Sequence, residues 1–284
     1  MPDPAAGMPW RERASRLAGR VARSPASRFL IPWFVWRYGV NRDEALEPPE
    51  GFASLQQFFC RPLQPGTRPV TGDPWALASP ADGLIGASGG IAQGQLFEAK
   101  NRRYSLAALL DDVAGAAALE GGAFCTLYLA PANYHRVHAP ETGAVREARY
   151  IPGAFFPVHP SSAARVVGLF CANQRLVTWL ETRWGRMALV MVGACLVGGI
   201  RASYDPGWNA GPGPHAAAHR CYDPAPELGR GQELGHFEFG STVILLAPPP
   251  SAWRLALPLG YSVRVGEPIM FAGDDAAPAP PAGN

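Results

Sequence analysis

The sequence is short of lysine. Among its 25 basic residues only Lys100 is a lysine, and the rest are arginines. A Schiff-base lysine, a pyridoxal-phosphate lysine or a phosphate-loop lysine would each have to be Lys100. It stands in Phe97-Glu98-Ala99-Lys100-Asn101-Arg102-Arg103 with no glycine-rich loop before it, so none of these is expected. Long apolar runs are also missing. No stretch reaches the roughly 18–20 residues that span a bilayer. The nearest, Phe29 to Trp36, is short and holds Pro32. It is aromatic, starts late and runs into Arg37-Tyr38, which argues against an export signal. The five cysteines (Cys60, Cys125, Cys171, Cys195, Cys221) are odd in number and contain no Cys-x-x-Cys. They suit neither a disulfide framework nor a zinc site, and read as small apolar residues in a reducing compartment. A net charge of +2 argues against a general nucleic-acid binder.

What is present is 48% hydrophobic residues in 284, enough for a core in one large domain or two small ones. Gly (32) and Pro (30) are frequent but stay below low-complexity levels. Charge is unevenly placed. Between Trp10 and Arg42 stand eight arginines and one acid, Glu12. From Trp10 to about Ala22 the pattern suits a helix with an arginine face, and Ser24-Pro25 suits the start of another. Arginines beside Trp and Phe fit a helix in a membrane interface, and equally an N-terminal helix pair packed on the protein.

Residues 52–59 read as a short helix ended by Arg61-Pro62. From Ala76 onward short apolar runs are separated by Gly, Pro and Asn, which predicts an antiparallel β-rich core. One helix interrupts it, from Leu106 to Leu110 and slightly beyond. The expected class is therefore α+β, mainly β, with amphipathic helices at the N-terminus. Residues 203–230 read as a long Gly/Pro-rich loop, and residues 273–284 as a disordered tail.

Three short patterns could carry chemistry. In Tyr134-His135-Arg136-Val137-His138-Ala139-Pro140 the two histidines point to opposite faces if the strand persists. If the chain turns at Pro131-Ala132-Asn133, both can approach one site. In Ser79-Pro80-Ala81-Asp82-Gly83 an aspartate sits in a tight turn, where it could also orient a histidine. Ser241 lies between Gly240 and an apolar run, so its hydroxyl could attack the Gly240 carbonyl, glycine permitting the distortion. Each pattern also has an ordinary structural reading. His215 and His219 have helical spacing but no glutamate between them, and His159 and His236 read as interior hydrogen-bonded residues.

Taken in order, these patterns resemble the phosphatidylserine decarboxylase proenzymes of the bacterial, membrane-associated type. The resemblance runs over roughly residues 50–270. It includes Phe58-Phe59-Cys60-Arg61-Pro62-Leu63, the Asp82 turn, Lys100 through Tyr104-Ser105-Leu106, and the His135/His138 segment. It continues through Tyr150-Ile151-Pro152-Gly153 and Val192-Gly193-Ala194, and ends at Gly231-Gln-Glu-Leu-Gly-His-Phe-Glu-Phe-Gly-Ser-Thr. The family often has leucine where this chain has Phe239, and glycine where it has Asn101.

The resemblance implies a self-cleaving enzyme in phospholipid biosynthesis. Asp82, His138 and Ser241 match the family's relay, and His135 is a candidate for decarboxylation or proton return. Cleavage between Gly240 and Ser241 would leave chains 1–240 and 241–284 as a noncovalent pair. Ser241 would become a covalent pyruvoyl group, and no metal is called for. Its ketone would form a Schiff base with the amine of phosphatidylserine, giving phosphatidylethanolamine and CO2. The resemblance also implies a peripheral protein on the cytoplasmic face of an anionic membrane, with residues 1–47 facing lipid and 48–272 catalytic. Arginines near such a surface contribute about 1 kcal/mol each. A homodimer stays open, and nucleic acid is not an expected partner. The competing expectations are a serine hydrolase using Ser241, His138 and Asp82 without self-cleavage, and a non-catalytic membrane-binding β-domain. The hydrolase lacks a Gly-x-Ser-x-Gly elbow.

Overall fold

A computed structural model describes residues 17–98, 102–158, 168–194, 199–210, 216–238, 241–249 and 252–273. Lys100, His159, Cys195, His215, Gly240 and the tail after Gly273 lie outside the described residues, as does the start of the helix expected from Trp10.

The apolar runs after Ala76 become strands, and every pairing between named strands is antiparallel. The main sheet runs Ala218–Cys221, Gly143–Ile151, Arg175–Thr182, Gly185–Gly193, Ser241–Ala247, Ala123–Leu129, Gly83–Gly90, Ser262–Val263, with Glu227–Leu228 also paired to Gly143–Ile151. The Ser241–Ala247 strand lies in the middle and is buried along its whole length. A near-continuous Val/Ile/Leu run suits this place, because both faces are covered.

Side-chain alternation divides the core in two. Val243 and Leu245 join Cys125, Leu127, Leu189 and Met191 on one face. Ile244 and Leu246 join Phe124, Val190 and Val192 on the other. Each fully buried aliphatic side chain here contributes about 1.5–3 kcal/mol. The first face is roofed by a smaller sheet ordered Asn209–Ala210, Ile200–Ala202, Glu233–Phe237, Arg136–His138, whose Ile200, Leu234, Phe237 and Val137 enter the same cluster. Strands Ala76–Ala78, Pro268–Ala272 and Trp253–Leu255 form a third sheet, and Gln95–Glu98 pairs with Arg102–Ser105.

Helices are few and short. Residues 17–23 are helical, followed by a 3-10 turn at Pro25–Leu30, with Ser24 as its N-cap, and the helix Ile31–Tyr38. Leu55–Phe59 is capped by Ser54 Oγ, which accepts from Gln57 N–H at 3.1 Å. The expected single helix after Ser105 is two, because Asp111 adopts a left-handed conformation and Asp112 caps a second helix, Val113–Ala118. The long loop expected at 203–230 is also more ordered than its composition suggests. Its described residues supply three short strands, Asn209–Ala210, Ala218–Cys221 and Glu227–Leu228. His219 is therefore on a strand and not on a helix, with Nε2 2.8 Å from Glu147. Cys125 is buried as expected of a small apolar residue, but Cys221 is exposed.

The N-terminal part has its own core of Ile31, Phe34, Val40, Ala45, Phe52, Phe58 and Phe59, which straddles the boundary expected after residue 47. The opposite side of the same segment leaves Phe29 (72%), Trp33 (54%) and Trp36 (78%) exposed. Among the described residues no helix is long and apolar enough to cross a membrane.

Candidate active site

The chain does turn at residues 131–133. Asn133 N–H donates to the Ala130 carbonyl at 2.9 Å, and the Asn133 side-chain oxygen accepts from Ala130 N–H at 2.7 Å. This turn carries the path from the end of the Ala123–Leu129 strand to Arg136–His138 on the smaller sheet.

His135 is fully buried. Its Nδ1 lies 2.9 Å from the Asn133 carbonyl, which can only accept, so Nδ1 carries the proton and Nε2 a bare lone pair. That Nε2 is buried without a partner among the described residues. Burial, with a smaller contribution from the Arg61 cation, outweighs the Asn133 bond and pushes the ring's pKa down to about 3. His138 follows the same rule. Its Nδ1 donates to the Gly231 carbonyl at 2.8 Å, and its Nε2 accepts from the Tyr134 hydroxyl at 3.2 Å. Burial lowers its pKa, against the Gly231 bond and the charges of Glu233 and Asp82, which raise it.

Asp82 is buried in its turn but makes no hydrogen bond to His138. Its carboxylate takes Arg68 Nε at 2.9 Å and Nη2 at 2.7 Å, and Val265 N–H at 2.8 Å. Arg68 also reaches Glu44 at 2.8 Å. Burial works against the Arg68 charge, yet the two carboxylates hold its pKa above the usual value. The turn nevertheless abuts the histidine, since His138 N–H donates to the Pro80 carbonyl at 2.8 Å. Asp82 therefore acts on His138 as a nearby negative charge.

Ser241 opens the central strand, in register with Leu129 on one side and Gly193 on the other. Alternation with Val243 and Leu245 turns its side chain to the face roofed by the histidine-bearing sheet. Its Oγ is buried without a hydrogen-bond partner among the described residues, so no Ser241–His138 bond is formed. Beside it, a Cβ on Gly193 would come within 2.7 Å of Gln174 Nε2. The glycine makes room for this amide. Gln174 Oε1 accepts from Tyr150 at 3.1 Å, while its Nε2 has no partner among the described residues.

The phosphatidylserine decarboxylase family profile matches residues 55–271. This chain belongs to that family. It is thus a lyase of the decarboxylase kind. Similar proteins include the phosphatidylserine decarboxylase proenzyme of Anaeromyxobacter sp. (strain K), 47% identical over 90% of this chain and 92% of its own. That of Saccharophagus degradans is 39% identical over 90% and 91%, and that of Bordetella pertussis 41% identical over 94% and 92%. The family favours a decarboxylase over the serine hydrolase that the same three residues could suggest. Sequence reasoning missed Arg68, Gln174 and the Gly231 carbonyl. Arg68 stands alone in a coil and Gln174 in an unremarked Cys171-Ala172-Asn173-Gln174, so neither gives a signal, whereas Gly231 and Tyr134 lie within the quoted motifs.

Proposed function

We propose that this chain is the precursor of a pyruvoyl-dependent enzyme that cuts itself between Gly240 and Ser241 and then decarboxylates phosphatidylserine to phosphatidylethanolamine. The observation that carries the reading is the buried, unpartnered Ser241 Oγ at the head of the central strand, on the face roofed by the sheet of His138. His138 Nε2, once the Tyr134 hydroxyl gives way, takes the Ser241 proton. The Oγ then attacks the Gly240 carbonyl, the imidazolium returns the proton to the residue-241 nitrogen, and the 240–241 C–N bond breaks, leaving an ester and a free amine on residue 241. Removal of the Ser241 Cα proton expels the Gly240 carboxylate, and water releases ammonia from the dehydroalanine left behind. Asp82 favours the imidazolium that appears when the proton moves.

The site suits the small carbonyl group so produced. Gln174 Nε2 is an uncommitted donor in the space that Gly193 leaves open, and would hold one of its oxygens. When formed, the group supplies a ketone that engages the substrate amine and accepts the electrons of the breaking carbon–carbon bond. His135, with its bare and neutral Nε2, moves a proton at the carbon that loses CO2. The large chain (1–240) and small chain (241–284) stay together noncovalently. The exposed Phe29, Trp33 and Trp36, with arginines around them, seat the enzyme peripherally on an anionic cytoplasmic leaflet.

Intact mass spectrometry of the purified protein tests this. Two chains are expected, the smaller beginning at position 241 with a pyruvoyl-blocked end. Ser241→Ala should give one chain and no CO2 release. Two chains from that variant would overturn the mechanism.

A further inference from the structure

The motif Phe58-Phe59-Cys60-Arg61 takes no part in the steps above, yet in the structure it closes around one residue. The Phe59 ring packs on the His135 imidazole with centroids 3.9 Å apart and planes at 41°. Arg61 Nη2 donates to the Ala132 carbonyl at 3.2 Å, gripping the turn just before His135. Its guanidinium lies over the Phe58 ring, 5.1 Å from the centroid. On the other side, Arg136 Nε donates to the Cys60 carbonyl at 3.0 Å, which fixes the residue just after His135. The Cys60 thiol donates to the Phe237 carbonyl at 3.4 Å, and Phe237 N–H in turn donates to the His135 carbonyl at 3.0 Å. Consecutive residues of one segment thus hold His135 on its ring face, at the turn before it, at the residue after it and across the ladder.

We propose that Phe59, supported by Cys60 and Arg61, is a positioning residue for His135 in the decarboxylation step. The inference rests on the assignment of His135 to that step. The Asn133 carbonyl fixes one ring nitrogen, but a single hydrogen bond leaves the ring free to tilt. A flat aromatic face removes that freedom and keeps water from Nε2, so that the lone pair stays uncommitted until substrate arrives. The chain-cutting step has no such need. Neither His138 nor Ser241 hydrogen-bonds to residues 58–61.

The test is Phe59→Leu in the full chain, which keeps an apolar side chain but loses the flat face. Cleavage into two chains should proceed as in the parent, while kcat for CO2 release from phosphatidylserine vesicles falls about ten- to a hundredfold. KM should stay within about twofold, since ground-state binding is untouched. Nitrogen-15 histidine spectra should show His135 passing from a single tautomer to a mixture. Phe59→Tyr, which keeps the ring, should restore kcat. Unchanged kcat and an unchanged His135 spectrum in Phe59→Leu would overturn the proposal, as would equal losses in the Leu and Tyr variants. If Phe59→Leu fails to fold, Arg61→Lys takes its place. A fall in kcat with cleavage intact supports the proposal, and parent kcat overturns it. A fully active His135→Gln would instead sink the assignment of His135 itself.

Discussion

Gly231 holds His138 through its backbone carbonyl, 2.8 Å from Nδ1, and so decides which ring nitrogen is left basic. Its φ of +77° favours glycine there, and a Cβ would also run into the Val70 side chain. Gly231→Ala should cost about 1–2 kcal/mol of backbone strain, with the clash in addition, and shift the carbonyl off the imidazole. The expected result is slowed chain cutting, read as accumulation of the uncut chain on a denaturing gel. His138→Ala should stop cutting altogether. Normal cutting in His138→Ala would remove it from the relay.

Asp82 is buried and Arg68 half-buried, and the loss of Arg68 leaves the Asp82 charge without its ion partner. Arg68→Met should lower stability, by less than the about 3–5 kcal/mol that breaking a fully buried pair costs. It should also slow cutting, because the Asp82 charge would no longer be fixed near His138. The urea midpoint checks the first effect, and the rate of cutting of freshly made chain the second. A midpoint equal to the parent's would show that solvent, not Arg68, compensates Asp82.

The buried His135 and half-buried His138 predict an acid limb in stability. His135 is depressed to about 3 and His138 is depressed as well, in both cases by burial first. In the unfolded chain each ring binds a proton near about 6.5. As pH falls below that value the unfolded state takes up protons that the folded state refuses. Stability is therefore greatest above it and is lost on acidification, by up to about 1.4 kcal/mol per pH unit for each ring. Glu233, held down to about 2 by its His236 and Arg136 partners against burial, adds its own loss only under more acid conditions. Urea midpoints at about pH 7 and about pH 5 should differ, and His135→Gln should flatten the difference. Equal midpoints in the parent would contradict the burial argument.

At the N-terminus, Trp33→Ser with Trp36→Ser removes two exposed aromatic side chains without touching Phe34 or the small core behind it. Each lost membrane contact should cost about 1.5–3 kcal/mol. Co-sedimentation with anionic vesicles should fall at least about tenfold while cutting continues. Unchanged co-sedimentation would return this face to ordinary exposed surface.

Much of this was legible in the sequence. The strand-rich texture after Ala76 follows from local patterns, whereas His135, His138, Asp82 and Ser241 each stand in a pattern with an ordinary structural reading and are singled out only by the family resemblance of the ordered set. A turn at Asn133 was one of two readings, and only the fold selects between them. The partners of Asp82 could not be read, because Arg68 reaches it from a coil with no pattern of its own. Nor could Gln174, whose meaning depends on the pairing of Gly193 with Ser241 across the sheet. The loop reading of 203–230 missed its strands because edge strands of this kind take their order from the sheet they join, not from their own propensity.

The central strand has a practical corollary. Ser241–Ala247 is laddered along both edges, to Ala123–Leu129 and to Gly185–Gly193. A fragment that begins at Ser241 could leave only by tearing out the middle of the main sheet. Purification through a handle on either end of the precursor should therefore recover both pieces, in equal amounts, until the sheet itself is melted.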